Sequence, residues 1–239
     1  MVFTAVSYNI HQCVGMDGRR DPQRVAEVIR ELNADVVGLQ EVDFRPLGLK
    51  KSYQLNYLAE ATGLHAIAGP TIRRADAEFG NALLTRLEIG KVRLHDLSVP
   101  GRQPRGAIDA EIFCQGKAIR VVVTHLGLGI RERRRQVHSL LEVLRESPAE
   151  CTFLLGDINE WRPRSFAIRS LDTCLGRIAC PRTFPATYPV FPLDRIWASP
   201  PAGLLDLKVP RNGLARLASD HLPIWASFDL SNSLLPPPK

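Results

Sequence analysis

The sequence predicts an α/β domain built around a mixed β-sheet. Helix and strand patterns alternate in parts of the chain, which is typical of parallel strand pairs, and several strand patterns follow one another directly, which is typical of antiparallel ones. No linker, repeat or low-complexity segment divides the 239 residues. We therefore expect one domain over residues 1–230 and a flexible proline-rich tail over 231–239.

The first half of the chain predicts two helices and a series of strands. Asp21-Pro22 is an N-cap and first-turn signal, and apolar residues recur after it at helical spacing. A second helix is expected over 52–62, with Gly63 ending it. Residues 107–113 alternate between apolar and acidic side chains, which predicts one buried face. The expected strands are 2–8, 35–41, 65–68, 82–85, 92–97, 107–113 and 118–124.

The second half predicts one clear helix and three further strands. The helix covers 131–145, with an apolar stripe on one side and the arginines 131–135 on its solvated face. Three buried strands are predicted from the segments CTFLLGD, DRIWAS and LPIWASFDL. Residues 176–193, rich in proline, threonine and aromatic residues, predict a long loop.

Composition is that of a soluble globular protein, with 45% hydrophobic and 23% charged residues. No apolar run approaches the roughly 20 residues of a membrane span, and the N-terminus does not resemble a signal peptide. We expect a cytoplasmic monomer without a membrane span. Five cysteines without a C-x-x-C pair favour reduced thiols over zinc ligation or disulfides. A net charge of +6 mildly favours phosphate-bearing partners.

Polar residues able to bind a ligand recur at the predicted strand ends. In α/β sheets such positions join rigid backbone to adaptable loops, and ligand-handling residues gather there. Each residue alone has a structural explanation, as a turn former, a helix or turn cap, a surface acid or a core histidine. Taken together they predict one shared site, formed by Asn9, His11, Glu41, His125, Asp157, Asn159, Asp194, Asp220 and His221.

These residue types support metal-assisted hydrolysis of a phosphate ester. Carboxylate and carboxamide oxygens suit Mg²⁺ or Mn²⁺. A carboxylate near a neutral histidine can activate water, and an asparagine can hold a phosphoryl oxygen or the nucleophile. A divalent ion would neutralise the phosphate and the charge on the leaving oxygen.

The order of the motifs resembles that of the endonuclease/exonuclease/phosphatase superfamily, which includes DNase I, exonuclease III-type repair nucleases, neutral sphingomyelinases and inositol-polyphosphate 5-phosphatases. The resemblance extends from Asn9 to His221. In its small size the chain is similar to short bacterial members of the superfamily. It implies a four-layer α/β/β/α sandwich of two mixed β-sheets with the site at one edge. The motifs that carry it are YNIH, LQEVD, GNALLTR, RGAIDAEI, THLGL, GDINEW, LDRIW and SDHLPIWA.

The resemblance also implies a role for each site residue. Glu41 is the expected principal metal ligand, with Asn9 beside it and Asp220 supporting a metal directly or through water. Asp157 would orient or deprotonate the attacking water, and Asn159 would hold it. His221, supported by Asp194, would bind phosphate, and His125 would contact phosphate or assist the leaving oxygen. Secondary phosphate contacts are expected from Arg105, Asn81 and His11.

The strand that carries Asp157 and Asn159 predicts a particular geometry. Gly156 is expected to let the chain turn sharply, and the period of two along a strand would send both polar side chains to one side, with Ile158 pointing into the core. The substrate stays open between a small or lipid-linked phosphate ester, which we favour, and a nucleic acid. A non-catalytic phosphate-binding protein is a third alternative.

Overall fold

The computed structural model describes residues 1–44, 46–47, 52–74, 77–146, 149–199 and 203–231. Most of the predicted tail, 232–239, lies outside the described residues. The helices are α1 (Pro22–Leu32), α2 (Gln54–Thr62), α3 (Ile130–Glu146), α4 (Phe166–Leu175) and α5 (Gly213–Ala218). A short 3-10 helix, His11–Cys13, follows the first strand.

Two mixed sheets form the centre of the fold. The first has the strand order β12-β13-β1-β2-β6-β5, and only β1 and β2 pair in parallel. Its strands are β1 (Val2–Asn9), β2 (Val36–Asp43), β5 (His65–Arg74), β6 (Ala77–Thr85), β12 (Leu204–Lys208) and β13 (Ile224–Asp229). A small hairpin pairs β3 (Pro46–Leu47) with β4 (Ser52–Tyr53).

The second sheet has the order β11-β10-β9-β8-β7, and only β9 and β10 pair in parallel. Helix α3 connects β9 to β10, as a parallel crossover requires. The strands are β7 (Glu88–Asp96), β8 (Gly106–Cys114), β9 (Lys117–His125), β10 (Thr152–Asp157) and β11 (Asp194–Ser199).

Three apolar cores separate four layers. The core between the sheets contains Phe153, whose ring lies 4.7 Å from Phe3 and 4.8 Å from Phe228. A second core packs α1, α2 and α5 on the outer face of the first sheet, and a third packs α3 and α4 on the outer face of the second. The predicted α/β/β/α sandwich of two mixed sheets is confirmed.

The structure corrects several element predictions. The second helix begins at Gln54 rather than at residue 52. The strand patterns 65–68 and 82–85 are the first four residues of β5 and the last four of β6, both of which are longer than predicted. Helices α4 and α5 and strand β12 were not predicted. Asp109, expected on an open face, is buried because the guanidinium of Arg120 donates to both of its carboxylate oxygens at 2.8 Å.

All the arginines in 131–135 were expected on the solvated face of α3, but one of them is buried. Arg133 is 2% exposed, and its guanidinium donates to the backbone oxygens of Gly127 and Leu128 and to Glu160. The helix therefore uses one of its arginines to hold the loop that follows β9. The five cysteines are free, in keeping with the expected reduced thiols. None of the described helices is long and apolar enough to span a membrane.

Candidate active site

Strand register brings three of the predicted site residues side by side. Asp157, the last residue of β10, pairs with His125 at the end of β9 and with Asp194 at the start of β11. On the first sheet, Asn9 ends β1 opposite Gln40 of β2. The ends of both parallel strand pairs therefore meet at one edge of the sandwich.

Asn9 joins the two sheets through its side chain. Its Nδ2 donates to Oε1 of Glu41 at 3.2 Å and to Oδ2 of Asp157 at 3.1 Å. Its Oδ1 accepts from the backbone N–H of His11 at 3.1 Å, which fixes the orientation of the amide. In this arrangement Asn9 positions two carboxylates through its nitrogen.

Glu41 is directed to the site by an irregular backbone. The pairing of β2 with β6 shifts register between Leu39 and Val42, and Glu41 has φ of +56°. A left-handed conformation is costly for a residue with a Cβ, and such strain is concentrated at functional sites. The bulge carries the half-buried Glu41 carboxylate to the border of an open cleft.

Asp157 and Asn159 come together, but by a different geometry from the one predicted. The strand ends at Asp157, and Asn159 lies beyond it with φ of +53°, where its backbone N–H donates to Oδ1 of Asp157 at 2.9 Å. Gly156 does not form the turn. A Cβ at Gly156 would lie 2.4 Å from the backbone oxygen of Thr124, so glycine is required by the close approach of β9. Ile158 is buried in the core, as expected.

His221 and Asp194 form a hydrogen-bonded pair. Nδ1 of His221 lies 2.8 Å from Oδ2 of Asp194, and the hydroxyl of Thr183 donates to the same oxygen at 2.5 Å. The other ring nitrogen, Nε2, faces Oδ2 of Asp157 at 3.8 Å. The Phe184 ring packs against the imidazole with a centroid distance of 4.7 Å.

His125 is paired with an arginine. Nη1 of Arg105 lies 3.0 Å from Nδ1 of the histidine, and since a guanidinium can only donate, Nδ1 must accept. The proton of the neutral ring is then on Nε2, which lies 3.5 Å from Oδ2 of Asp157. Nδ2 of Asn159 donates to the backbone oxygen of Leu126 at 2.9 Å and also lies 3.1 Å from this Nε2. Because both nitrogens are donors in this tautomer, they do not hydrogen-bond to each other.

The environment gives these groups different proton affinities. Burial, assisted by the positive charge of Arg105 and by His221, holds the pKa of His125 well below its usual value. Burial opposes a charge on His221 as well, but the carboxylates of Asp194 and Asp157 outweigh it and raise the pKa of His221 to about 10. Burial and the charge of Asp194 raise the pKa of Asp157 to about 6. At neutral pH the site thus contains an imidazolium, a neutral imidazole and a carboxylate that is more basic than usual.

Three predicted residues lie at the margin of this group. Nδ1 of His11 is 3.8 Å from Oδ1 of Asp220, and both side chains are about one-third to two-fifths exposed. Asn81 lies across the cleft, where its Nδ2 donates to the backbone oxygen of Gly106 at 3.0 Å. Asn81 and Arg105 line a cleft of about 440 Å³ together with Gln12, Glu41, Thr71, Phe79, Gly80, Gln103, Gly106 and His125.

Sequence reasoning missed two groups that support the site. Glu160 accepts from Arg133 at 3.2 Å and from Arg162 at 2.8 Å, which ties the loop after β10 to helix α3. Arg133 also donates to Gly127 and Leu128 in the loop after β9. Thr183, in the irregular segment 176–193, is the second donor to Asp194. A glutamate beside arginines and a threonine in a loop have no distinctive pattern, so the sequence offered no signal for either.

The donor set of the site fits a hard divalent cation. Oxygen ligands are what Mg²⁺ and Mn²⁺ prefer, and Glu41 supplies a carboxylate at the open cleft. A second group, formed by Asp157, Asp194 and His221, has one potential ligand atom from each residue within 4.8 Å of the others. There a cation would have to break the pairing of His221 with Asp194, so Glu41 is the better-placed ligand.

An aromatic rim borders the site on the side of the 176–193 segment. Trp161 and Phe191 pack with ring centroids 5.7 Å apart and remain 50% and 40% exposed. Tyr188 in the same segment is 77% exposed. These aromatic side chains, two of them in the predicted long loop 176–193, are thus partly open to solvent.

Fold and site together define an α/β/β/α sandwich protein with a histidine–carboxylate centre at the edge of its two sheets. A sequence model of the Endonuclease/Exonuclease/phosphatase family matches residues 6–221, and the chain belongs to this family. The Escherichia coli (strain K12) protein YbhP is 30% identical over 246 aligned positions, covering 95% of this chain and 96% of YbhP.

Solved structures with different activities share the fold. The Bacteroides thetaiotaomicron mannosyl-6-phosphatase Bt3783 superposes with a TM-score of 0.74 at 19% identity, covering 94% of this chain and 98% of that one. The D. rerio TDP2 complex with a single-strand DNA product superposes with a TM-score of 0.70 at 18% identity, covering 95% and 99%. At these identities the likeness establishes the fold and leaves the substrate to be argued from the site.

Proposed function

We propose that this protein is a divalent-metal-dependent phosphoesterase that hydrolyses a phosphodiester or phosphomonoester by attack of water. The observation that carries this proposal is the convergence of Glu41, Asp157 and His221 on one edge. Asp157 lies 3.8 Å from His221 and shares the Asn9 amide with Glu41. A site that only binds phosphate would need positive charges and hydrogen-bond donors. It would not need a carboxylate of raised pKa beside them, which a catalytic site uses as a base.

Asp157 is the proposed general base. Its pKa of about 6 makes it a stronger base than an ordinary aspartate while leaving it ionised at neutral pH. In the proposed step Asp157 takes a proton from water, the water oxygen bonds to phosphorus, and the bond from phosphorus to the ester oxygen breaks. The released oxygen takes a proton from solvent, to which Asp157 returns the proton that it took. Asn159, fixed by Asp157 and Leu126, borders the position from which the water would attack.

His221 is the proposed phosphate ligand. Because Asp194 and Thr183 hold it in place and its pKa is about 10, His221 carries a fixed positive charge at neutral pH. Such a charge, aimed by buried partners, stabilises the phosphate as negative charge builds up in the transition state. His125, neutral and held by Arg105, offers a hydrogen bond without adding charge.

Glu41 is the residue that would hold Mg²⁺ or Mn²⁺, with Asn9 orienting its carboxylate and Asp220 as a further candidate ligand beside His11. The bound ion would supply neutralisation of the phosphate and of the leaving oxygen. The chain contributes the position of that charge, because the strained backbone at Glu41 fixes where the carboxylate points.

A small or lipid-linked phosphate ester is the favoured substrate. The cleft next to Glu41 and His125 has the volume of a small-molecule site, roughly 300–1,000 Å³ for such sites, and Arg105 is the arginine among the described residues that line it. A duplex would need a row of cations along its backbone. Cleavage of nucleic acid is the runner-up, supported by the net charge of +6.

Hydrolysis of a panel of esters with Mg²⁺ or Mn²⁺ tests the proposal. Bis-p-nitrophenyl phosphate, p-nitrophenyl phosphate, a phospholipid and plasmid DNA cover the alternatives. We expect the enzyme to hydrolyse at least one of the two p-nitrophenyl esters and the phospholipid faster than it cleaves DNA. Efficient cleavage of DNA alone would select the nuclease, and no turnover with phosphate binding retained would select a non-catalytic protein.

A further inference from the structure

The 440 Å³ cleft extends beyond the groups that the proposed reaction uses. Glu41, Arg105 and His125 form its inner wall, next to the site of the chemistry. The rest of the lining comes from other elements and includes two glutamines, an asparagine and a threonine: Gln12, Gln103, Asn81 and Thr71. Carboxamides and a hydroxyl carry no net charge, so the described side chains on this part of the cleft suit a polar, neutral group.

Two of these residues present hydrogen-bond acceptors. Nδ2 of Asn81 donates to the backbone oxygen of Gly106, which fixes the amide and leaves Oδ1 available. The hydroxyl of Thr71 donates to the backbone oxygen of Phe79 at 3.3 Å, which leaves its lone pairs available. A phosphate oxygen is itself an acceptor and cannot bind Oδ1 of Asn81, so we assign this oxygen a contact with a ligand donor, while the second N–H of Nδ2 remains a donor.

The two glutamines present donors. Oε1 of Gln12 accepts from Nη2 of Arg20 at 3.2 Å, and Oε1 of Gln103 accepts from Nη2 of Arg105 at 3.3 Å. Each amide orientation is fixed because a guanidinium only donates, so both Nε2 groups are left to donate. A ligand that fits this wall must therefore both donate and accept. Hydroxyl groups do so.

The backbone that carries Gln12 is strained. His11, Gln12 and Cys13 have φ of +45°, +54° and +59°, a left-handed turn made of three residues other than glycine. Conformations of this kind cost on the order of 1 kcal/mol or more each, and they persist where the surroundings hold them. The backbone oxygen of Gln12 is held by Nε2 of Gln54 at 2.8 Å. The turn places Gln12 on the cleft wall beside Glu41.

From these observations we propose that the cleft is a subsite for a hydroxyl-rich leaving group, so that the preferred substrate is the phosphate ester of a sugar or other polyol. The inference rests on the proposed phosphoesterase function, since it assigns the group that the ester bond releases. The proposal specifies a leaving group rich in hydroxyl groups and applies to a monoester or a diester alike.

A matched pair of substrates tests this subsite. myo-Inositol 1-phosphate and cyclohexyl phosphate have the same six-membered carbon ring and differ in hydroxyl groups. They are assayed with Mg²⁺ as monoesters, or as their methyl diesters if the enzyme cleaves only diesters. The expected kcat/KM is at least tenfold higher for the inositol ester. A ratio near one, or a preference for cyclohexyl phosphate, would overturn the proposal.

Variants connect the preference to the cleft wall. Gln103→Leu removes a donor at the exposed mouth, and Thr71→Val removes an acceptor. Each is expected to lower the ratio of the two kcat/KM values at least threefold, and Gln23→Leu, on exposed helix surface outside the cleft, should leave the ratio unchanged. Two variants are used so that a folding defect in one does not decide the outcome. Ratios unchanged in both variants would contradict the assignment.

A binding measurement separates this inference from the proposed function. Saturation-transfer NMR is run with free myo-inositol and metal-free protein, and it needs no turnover. A signal that weakens in Gln103→Leu supports the subsite even if no ester is hydrolysed, in which case only the phosphoesterase proposal fails. Ester hydrolysis with no inositol signal and no ratio above one leaves that function standing and removes the subsite.

Discussion

Nδ1 of His221 lies 2.8 Å from Oδ2 of Asp194, in a buried pair whose members are 27 residues apart in the chain. Asp194 begins β11 beside Asp157 of β10, whereas His221 lies in the segment that leads into β13 of the other sheet. The pair therefore connects the two sheets at the edge where the candidate site lies. It also keeps the histidine protonated at neutral pH, since the carboxylate outweighs the effect of burial on its pKa.

Removing the charge of Asp194 should impair turnover. In Asp194→Asn the pKa of His221 falls and the imidazole loses its orienting partner, so kcat is expected to drop by about 10²–10⁴, the range typical of such groups. Steady-state kinetics on a p-nitrophenyl ester measure it. Asp206→Asn, on exposed β12, is the control and should behave as wild type. An Asp194→Asn variant within twofold of wild type would contradict the role given to this pair.

Glu41→Gln should weaken binding of Mg²⁺ with little change in folding. The substitution keeps the size of the side chain and removes the charge that attracts the cation. Isothermal titration calorimetry should show at least tenfold weaker binding, against unchanged binding for Glu88→Gln at an exposed position. Equal Mg²⁺ affinity in wild type and Glu41→Gln would remove Glu41 from the metal site.

Gly156→Ala should destabilise the fold. Its Cβ would lie 2.4 Å from the backbone oxygen of Thr124, so β9 and β10 must separate where they carry His125 and Asp157. A loss of about 1–3 kcal/mol in the free energy of unfolding is expected from overpacking. Gly213→Ala, where a Cβ meets no atom within 4 Å, serves as the matched control. Urea unfolding that places the two variants at equal stability would show that this contact is not limiting.

Glu160 should make stability depend on pH in the acid range. Burial opposes its charge, but hydrogen bonds from Arg162 and the charge of Arg133 outweigh this and lower its pKa from 4.5 to about 2. Because the folded state holds the carboxylate ionised, the stabilisation is complete above pH about 4.5 and is lost as pH falls towards 2.

Glu160→Gln removes that dependence. The difference in unfolding free energy between wild type and variant is expected to be about 2 kcal/mol at pH 7 and to shrink steadily below pH 4.5. Chemical unfolding at a series of pH values measures it. A difference that stays constant down to pH 3 would show that the Glu160 ion pairs do not titrate with folding.

The sequence patterns predicted an α/β domain with a mixed sheet and the identity of the residues at the strand ends because both depend on local signals, whereas the sandwich was implied by the family resemblance. Apolar strands ending in polar residues are visible without coordinates, and register alone then brings His125, Asp157 and Asp194 together. Helix α4 went unpredicted although Ser165 caps it, since its apolar stripe is short and follows a turn that contains Pro163.

The geometry within the site could not be predicted in the same way. The period of two was expected to align Asp157 with Asn159, yet Asn159 reaches Asp157 through a left-handed backbone beyond the strand. The pairing of Arg105 with His125 joins the residue before β8 to the last residue of β9, and no spacing in the sequence indicates it. Contacts of this kind depend on where tertiary packing places two elements.

Hydrolysis of p-nitrophenyl phosphate and bis-p-nitrophenyl phosphate by wild type and Asp157→Asn, each with Mg²⁺ or Mn²⁺, tests the central claim most directly. The carboxamide is nearly isosteric and cannot take a proton from water, so we expect metal-dependent turnover by wild type and its loss in the variant, with unfolding transitions that show both proteins folded. Full activity of Asp157→Asn, or wild-type turnover that persists after chelation of the metal, would contradict the account.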